Sequence, residues 1–334
     1  MASKLAAILA LAAVIAGAGA VPANAQEQVV LKRRKYAIDV LIGGKPFTTY
    51  YFDPAEAKPY FQPLRSAQGT VVTRGFPIGN KIPAAHIHDP SLEPHQRPMY
   101  FAHGDIDGLS FWAEKVFLPF YGQVNYGFGR TVVNKLQAAK SAGDSGEIIA
   151  SFNLEGPGGK ILAEETQSYV IRGGPDTRTI DCQFVILADH GPVKMGDTKE
   201  GTFAIRVAKA LNSPPGTMVN SKGGVGEKQI WGKRANWVDY YGRVNGEEVG
   251  IAIFDSPKSF RHPTYWHARA YGLFAANPFG IREFTNDPRQ NGSYTIPSGK
   301  SLTFRYRVLI HHGTASQADI AARYRQYAAE EEAR

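Results

Sequence analysis

The sequence carries a single cysteine, Cys182, so no disulfide can close within the chain even in an oxidising compartment. Cys182 lies in Thr179-Ile180-Asp181-Cys182-Gln183-Phe184-Val185-Ile186, on the same alternating face as Ile180 and Phe184, where a small core residue belongs. Beyond Val21 no segment approaches the roughly 20 apolar residues of a spanning helix, so no membrane partner is expected for the rest of the chain. Gly-x-Ser-x-Gly, the P-loop and the strand–Gly-x-Gly-x-x-Gly–helix pattern are all missing. Gly223-Gly224-Val225-Gly226 follows no strong strand and reads as a turn. The one compact basic run, Lys32-Arg33-Arg34-Lys35, has no nucleic-acid motif beside it, so no nucleic-acid partner is expected and the run reads as a solvated edge. No Ser- or Pro-rich linker and no internal repeat divides the chain.

The N-terminus has the form of an export signal. Lys4 gives a short positive region, an apolar run follows from Leu5 to about Val21, and Ala23-Asn24-Ala25 is the small-x-small pattern of a cleavage site. Residues 1–25 are therefore expected to be a signal peptide, with cleavage after Ala25 and a periplasmic or secreted product. Cleavage lowers the formal charge from +8 to +7, an excess that serves solubility. Roughly 300 residues remain, enough for one large all-β domain over 26–334.

Strand patterns dominate that domain. Tyr36 to Ile42, Gly43-Gly44 and Phe47 to Phe52 form a hairpin signal. Glu147 to Leu154 and Ile161 to Arg172 flank a second turn, and Arg178 to Ala188 alternates again. Val238 to Val244, Asn245-Gly246 and Val249 to Phe254 are the strongest hairpin, and Ser301 to His312 closes the β region. Lys135 to Ala142 has the pattern of a short helical turn. A C-terminal helix is expected over about 316–332, with Ser316 as its cap. The fold class expected is all-β: a large antiparallel β-sandwich with a short C-terminal α-helix.

Three polar constellations exceed what a sandwich asks for. Four of the nine histidines, His86, His88, His95 and His103, fall in one loop-rich stretch, along with Glu93, Arg97 and Asp105. Asp197-Thr198-Lys199-Glu200-Gly201 is a charged turn entering the strand Phe203 to Val207. The third runs from Trp231 to Tyr241 and from Arg261 to Phe279. As a strand, Thr264 to Tyr271 places Tyr265, His267, Arg269 and Tyr271 on one face and Trp266, Ala268 and Ala270 on the other. His86 and His88, two apart, share a face if they lie on a strand, and His95 and His103 complete a set, but the spacing matches no tight zinc signature. Hydrogen-bonded structural or substrate groups are the expectation there, with no metal or other cofactor. His311 and His312 point to opposite faces of their strand.

These residues carry a resemblance. Phe101-Ala102-His103-Gly104-Asp105, Asp197-x-Lys199-Glu200-Gly201, Trp231-Gly232-Lys233-Arg234-Ala235 with Trp237-x-Asp239-Tyr240-Tyr241, and Arg261-His262-Pro263-Thr264-Tyr265-Trp266-His267 are similar to bacterial proteins labelled PmoA-like. Gly272 to Gly280 and Tyr306 to Gly313 continue the match, which spans about Pro59 to Gly313. Those proteins carry a His-Pro-His-His-Arg string where this chain reads Glu93-Pro94-His95-Gln96-Arg97, which weakens a histidine-only metal site unless His86, His88 or Glu93 substitutes. The label alludes to a multi-span methane oxygenase, which a mature chain with no span does not fit. The resemblance implies a β-sandwich related to the galactose-mutarotase-like supersandwich, in a secreted protein of carbohydrate-degrading bacteria.

The function expected is a carbohydrate-active enzyme, a hydrolase, lyase or epimerase, using general acid–base chemistry on a sugar. His103 and His267 are the acid or base candidates, with Glu200 and Asp239 as carboxylate partners. Arg97, Lys199, Arg234 and Arg269 suit a carboxylate or sugar hydroxyls, Trp231, Trp237 and Tyr265 suit stacking, and His95 and Asn277 complete the substrate-binding set. Two other readings stand beside it: a non-catalytic carbohydrate-binding protein, and a metal-dependent oxidoreductase.

Overall fold

The structure is a computed structural model that describes residues 26–89, 92–121 and 123–333. The expected signal peptide lies outside the described residues. In chain order, β1 (Val29–Arg33), β2 (Ala37–Ile42), β3 (Lys45–Tyr51), β4 (Tyr60–Gln62) and β5 (Met99–His103) are followed by two short strands, β6 (Leu109–Ser110) and β7 (Gly127–Phe128). Four long strands come next: β8 (Arg130–Ala142), β9 (Ser145–Glu155), β10 (Ile161–Gly173) and β11 (Thr177–Leu187). Then come β12 (Val193–Met195), β13 (Gly201–Arg206), β14 (Thr217–Asn220) and helix α1 (Glu227–Ile230). They are followed by β15 (Trp237–Val244), β16 (Glu247–Asp255), β17 (Tyr265–Ala268) and β18 (Leu273–Asn277). Helix α2 (Ile281–Thr285), β19 (Tyr294–Ile296), β20 (Ser301–His312) and helix α3 (Ile320–Ala333) complete the chain.

Two eight-stranded antiparallel sheets result. The first has the order β1-β2-β3-β4-β5-β13-β18-β17 and the second β14-β15-β16-β20-β11-β10-β9-β8. Alternation drives their formation: along β10 every second residue from Ala163 to Gly173 is buried, and β11 repeats the pattern, with Cys182 on the inward face. Asn245 and Gly246 both hold positive φ, 51° and 86°, as a tight two-residue turn between twisted strands requires. The inward faces of the two sheets meet in one core, where Phe101 stacks on Phe184 at 4.1 Å and Phe203 on Tyr306 at 5.0 Å.

Three local expectations are corrected. Lys135 to Ala142 is the end of β8, whose pairing with β9 shifts register twice, at Val133/Lys135 and Leu136/Ala138. Those bulges break the two-residue period and imitate a helical one. The C-terminal helix starts at Ile320, where Asp319 Oδ1 accepts from the Ala322 amide at 3.3 Å, so Asp319 caps it in place of Ser316. The strand expected to reach Tyr271 ends at Ala268, and Arg269 enters a turn closed by the Gly272 amide. Among the described residues no helix is long and apolar enough to cross a membrane.

Candidate functional site

The outer face of the first sheet, turned away from the core, has a distinctive cross-strand row. Register places His267 opposite Ala275, Ala275 opposite Ala204, Ala204 opposite Tyr100, Tyr100 opposite Tyr60, and Tyr60 opposite Tyr51. Two alanines therefore separate His267 from Tyr100 across three strand steps, about 14 Å. Ala102 extends this low floor, and Trp112 and Tyr271 pack on it.

A half-exposed rim frames the face. Trp231 Nε1 donates to His267 Nδ1 at 3.1 Å, which leaves the proton of the neutral ring on Nε2. Burial and the cations Arg269 and Lys199 hold the His267 imidazole down at about 3. Arg269 pairs with Glu227 at 3.2 Å. Lys199 is gripped by Glu283, which accepts from its amide at 2.5 Å and its Nζ at 2.9 Å, while Glu200 stands 3.7 Å from the same ammonium. Glu200 keeps 36% of its side-chain surface accessible. Burial raises its pKa; Lys199 pulls against that, and the Glu283 and Glu93 carboxylates add to it. Glu93, exposed and at φ 34°, stands on the rim in a backbone conformation that costs a non-glycine residue strain. Tyr126 feels both Glu200 and Glu93.

Beneath the rim lies a buried polar base. Trp112 meets Tyr100 at 4.9 Å and His95 at 6.4 Å, and His95 meets Tyr121 at 5.1 Å. Arg206 donates to Gln96 Oε1 at 2.5 Å and lies over the Tyr271 ring, whose hydroxyl is 3.3 Å from Gln96 Nε2. Under this layer Glu114 binds Arg97 at 2.8 and 2.5 Å and Lys58 at 3.2 Å, with Glu56 3.6 Å from Arg97. Burial lowers Lys58 to about 8 against the pull of Glu114. A cleft of about 350 Å³, lined by Arg74, Phe76 and His86 among others, adjoins the site through Arg206. Clefts of about 680 and 620 Å³ lie elsewhere, and no expected site residue lines either.

The sequence matches, over residues 37–325, the model of a family described as Family of unknown function (DUF6807). The chain belongs to that family. No curated protein matches this DUF6807 chain. Among solved structures, a galactose mutarotase-like protein from Clostridium acetobutylicum is similar at 10% identity and TM-score 0.39, covering 86% of this chain and 99% of that one. The α-galactosidase from Lactobacillus brevis is similar at 8% identity and TM-score 0.39, covering 87% of this chain and 40% of its own. A GH36 α-galactosidase from Geobacillus stearothermophilus is similar at 7% identity and TM-score 0.42, covering 87% and 42%. The DUF6807 chain spans about two fifths of the length of those two α-galactosidases.

Of the residues expected from the sequence, Lys199, Glu200, Trp231, Tyr265, His267 and Arg269 gather on the outer face or its rim, and His95 lies in the base. Others take different places. His103 alternates onto the core side of β5, binds Gly196 O through Nε2 at 2.9 Å, and is held by burial at about 4. Asp239 pairs with His311 at 3.1 Å on the outer face of the second sheet, and Trp237 packs beside it under α3. Arg97 is locked in the ion network below the base. Arg234 bonds the carbonyls of Arg261, His262 and Pro263, and Asn277 binds the Thr198 carbonyl and the Phe279 and Gly280 amides. Each therefore holds a loop in place.

The four histidines of the loop stretch do not converge. His86 sits in a 3-10 turn stacked on Phe76, so the shared strand face expected for His86 and His88 does not form; His88 is exposed, and His95 and His103 lie on opposite faces of the sheet. Among the described residues, the trio within ligand distance of one another is Glu164, Asp189 and His190, away from this site. Reading the sequence missed Tyr100, Trp112, Gln96 and Arg206. Tyr100 adjoins a quoted motif and Gln96 stands inside one, which was a usable signal. Arg206 ends a strand buried at every position and gave none.

Proposed function

We propose that this protein is an exported carbohydrate-active enzyme working by general acid–base chemistry on the outer face of the first sheet. The observation that carries the reading is Glu200: a partly buried carboxyl whose pKa burial raises, on the rim of a face lined by aromatic rings. A carboxyl that holds its proton more tightly than usual is suited to give it to a leaving oxygen. The motif residues shared with PmoA-like proteins, Lys199, Glu200, Trp231 and His267, feed this same face, which supports the reading.

In hydrolysis, Glu200 donates its proton to the glycosidic oxygen as the bond to the anomeric carbon breaks. Water attacks that carbon and loses its proton to the Glu93 carboxylate. His267 Nε2–H donates a hydrogen bond to the sugar, and Trp231 fixes the tautomer that makes this so. Screening oligosaccharides for turnover, then testing Glu200→Gln on the substrate found, checks the assignment. The variant is expected to fold normally and lose about 10²-fold or more in kcat. A wild-type protein that binds a glycan yet turns none over favours the non-catalytic carbohydrate-binding role.

A further inference from the structure

The ionised groups around the buried base have partners within the protein. Lys58 and Arg97 meet Glu114, Arg97 also faces Glu56, Lys199 meets Glu283, and Arg269 meets Glu227. Arg206 is held by Gln96, and Arg74 by the carbonyls of Leu92, Glu93 and Gln96. Three polar atoms at the base are buried with no hydrogen-bond partner: Tyr100 Oη, Trp112 Nε1 and His95 Nδ1. They belong to rings in mutual contact, and all three side chains are more than nine-tenths buried. The Glu93 carboxylate stands 3.5 Å from His95 Nδ1, beyond a good hydrogen bond. Buried polar groups are normally bonded, so three orphans in one contact cluster point to a ligand that bonds them.

We infer that this base is a subsite for an uncharged sugar ring, whose hydroxyl groups bond Tyr100 Oη, Trp112 Nε1 and His95 Nδ1. The inference rests on the carbohydrate reading above and narrows its substrate. An indole N–H only donates, a phenol donates or accepts, and a neutral imidazole nitrogen does one or the other by tautomer. Sugar hydroxyls both donate and accept, so they match every combination. His95 stays neutral, because burial and the cations Lys58, Arg74, Arg206 and Arg97 all oppose its protonation. A uronate carboxylate only accepts, so it cannot satisfy a phenol oxygen or an imidazole nitrogen that presents a lone pair, whereas a hydroxyl can. The half-buried Tyr121 ring, 5.1 Å from His95, adds apolar surface for the C–H face of the sugar.

Calorimetric titration of the full mature chain with neutral gluco-, galacto-, manno- and xylo-oligosaccharides, and with glucuronate and galacturonate oligomers of equal length, tests this. A neutral oligosaccharide is expected to bind, and Tyr100→Phe is expected to weaken it at least 10-fold without lowering the Tm of the free protein. Trp112→Phe gives a second reading, while Tyr100→Phe keeps ring shape and serves alone if the indole is needed for folding. Uronates binding in place of neutral sugars overturns this inference and leaves the carbohydrate reading standing. Neutral sugars bound equally well by Tyr100→Phe show that the orphan atoms hold ordered water only, which also overturns it. No sugar of either kind binding overturns both readings together.

Discussion

At the scale of single residues, the His267–Trp231 contact fixes more chemistry than its length suggests. A histidine titrating near its ordinary value is a general acid or base. One whose Nδ1 accepts from an indole, and whose protonation is opposed by burial, Arg269 and Lys199, is a fixed donor at Nε2. Imidazole ¹⁵N shifts should therefore show His267 as the neutral Nε2–H tautomer from pH 8 down to pH 4.5; a midpoint near 6.5 would return it to the acid–base pair. The sign for stability follows. Its folded pKa is depressed, so the contribution is full above about 6.5 and is lost as pH falls toward about 3. Sequence alone put His267 on the same face as Tyr265, because alternation is a local rule. It did not reveal the Trp231 partner, 36 positions away, nor Tyr100 and Arg206, which β13 and β18 bring to the same floor.

Elements decide which expected residues belong to the site. Strands with clean alternation, such as β10, β11 and β20, were legible, and a hairpin signal as strong as Asn245-Gly246 placed β15 and β16. Sheet order was not legible, since adjacency of β13 to β5 and β18 joins segments far apart in the chain. That order separates Asp239, on β15 of the second sheet, from Glu200 at the start of β13 in the first. Asp239 instead holds His311 beneath α3, beside Trp237, Phe254 and Leu309. Burial opposes charge on His311, yet the Asp239 carboxylate and their hydrogen bond keep its pKa above the ordinary value. Stability from the pair is thus full below about 6.5 and is lost as pH rises through the raised value. Asp239→Asn should cost about 1–3 kcal/mol, most at acid pH, and leave turnover on any substrate unchanged. Denaturant unfolding at pH 5.5 and 8.5, with kinetics on the same variant, checks both; normal stability with lost turnover would bring Asp239 back to the site.

Over the whole molecule, the two sheets must be held in a single alignment for their inward faces to pack as one core. Apolar packing supplies most of the attraction but little of the direction, because stacked rings tolerate small slides. A buried polar chain adds direction. Tyr50 on the first sheet donates to Gln167 Oε1 on the second at 2.8 Å, Tyr169 donates to the same oxygen at 2.6 Å, and Gln167 Nε2 donates to Glu165 at 2.6 Å. With Gln167 donating to it and, among the described residues, no cation paired with it, Glu165 is pushed up by burial to about 8 and stays protonated at neutral pH. A raised acid contributes stability that is full below its unfolded value of about 4.5 and is lost as pH rises through about 8. Glu165→Gln keeps a carbonyl oxygen for Gln167 and cannot ionise. Its stability should match the wild type at pH 4.5, then exceed it by roughly 1.4 kcal/mol per pH unit, on the order of 4 kcal/mol by pH 8. Urea unfolding from pH 4.5 to 8.5 measures that divergence. Parallel curves would mean that Glu165 ionises without cost inside the sandwich.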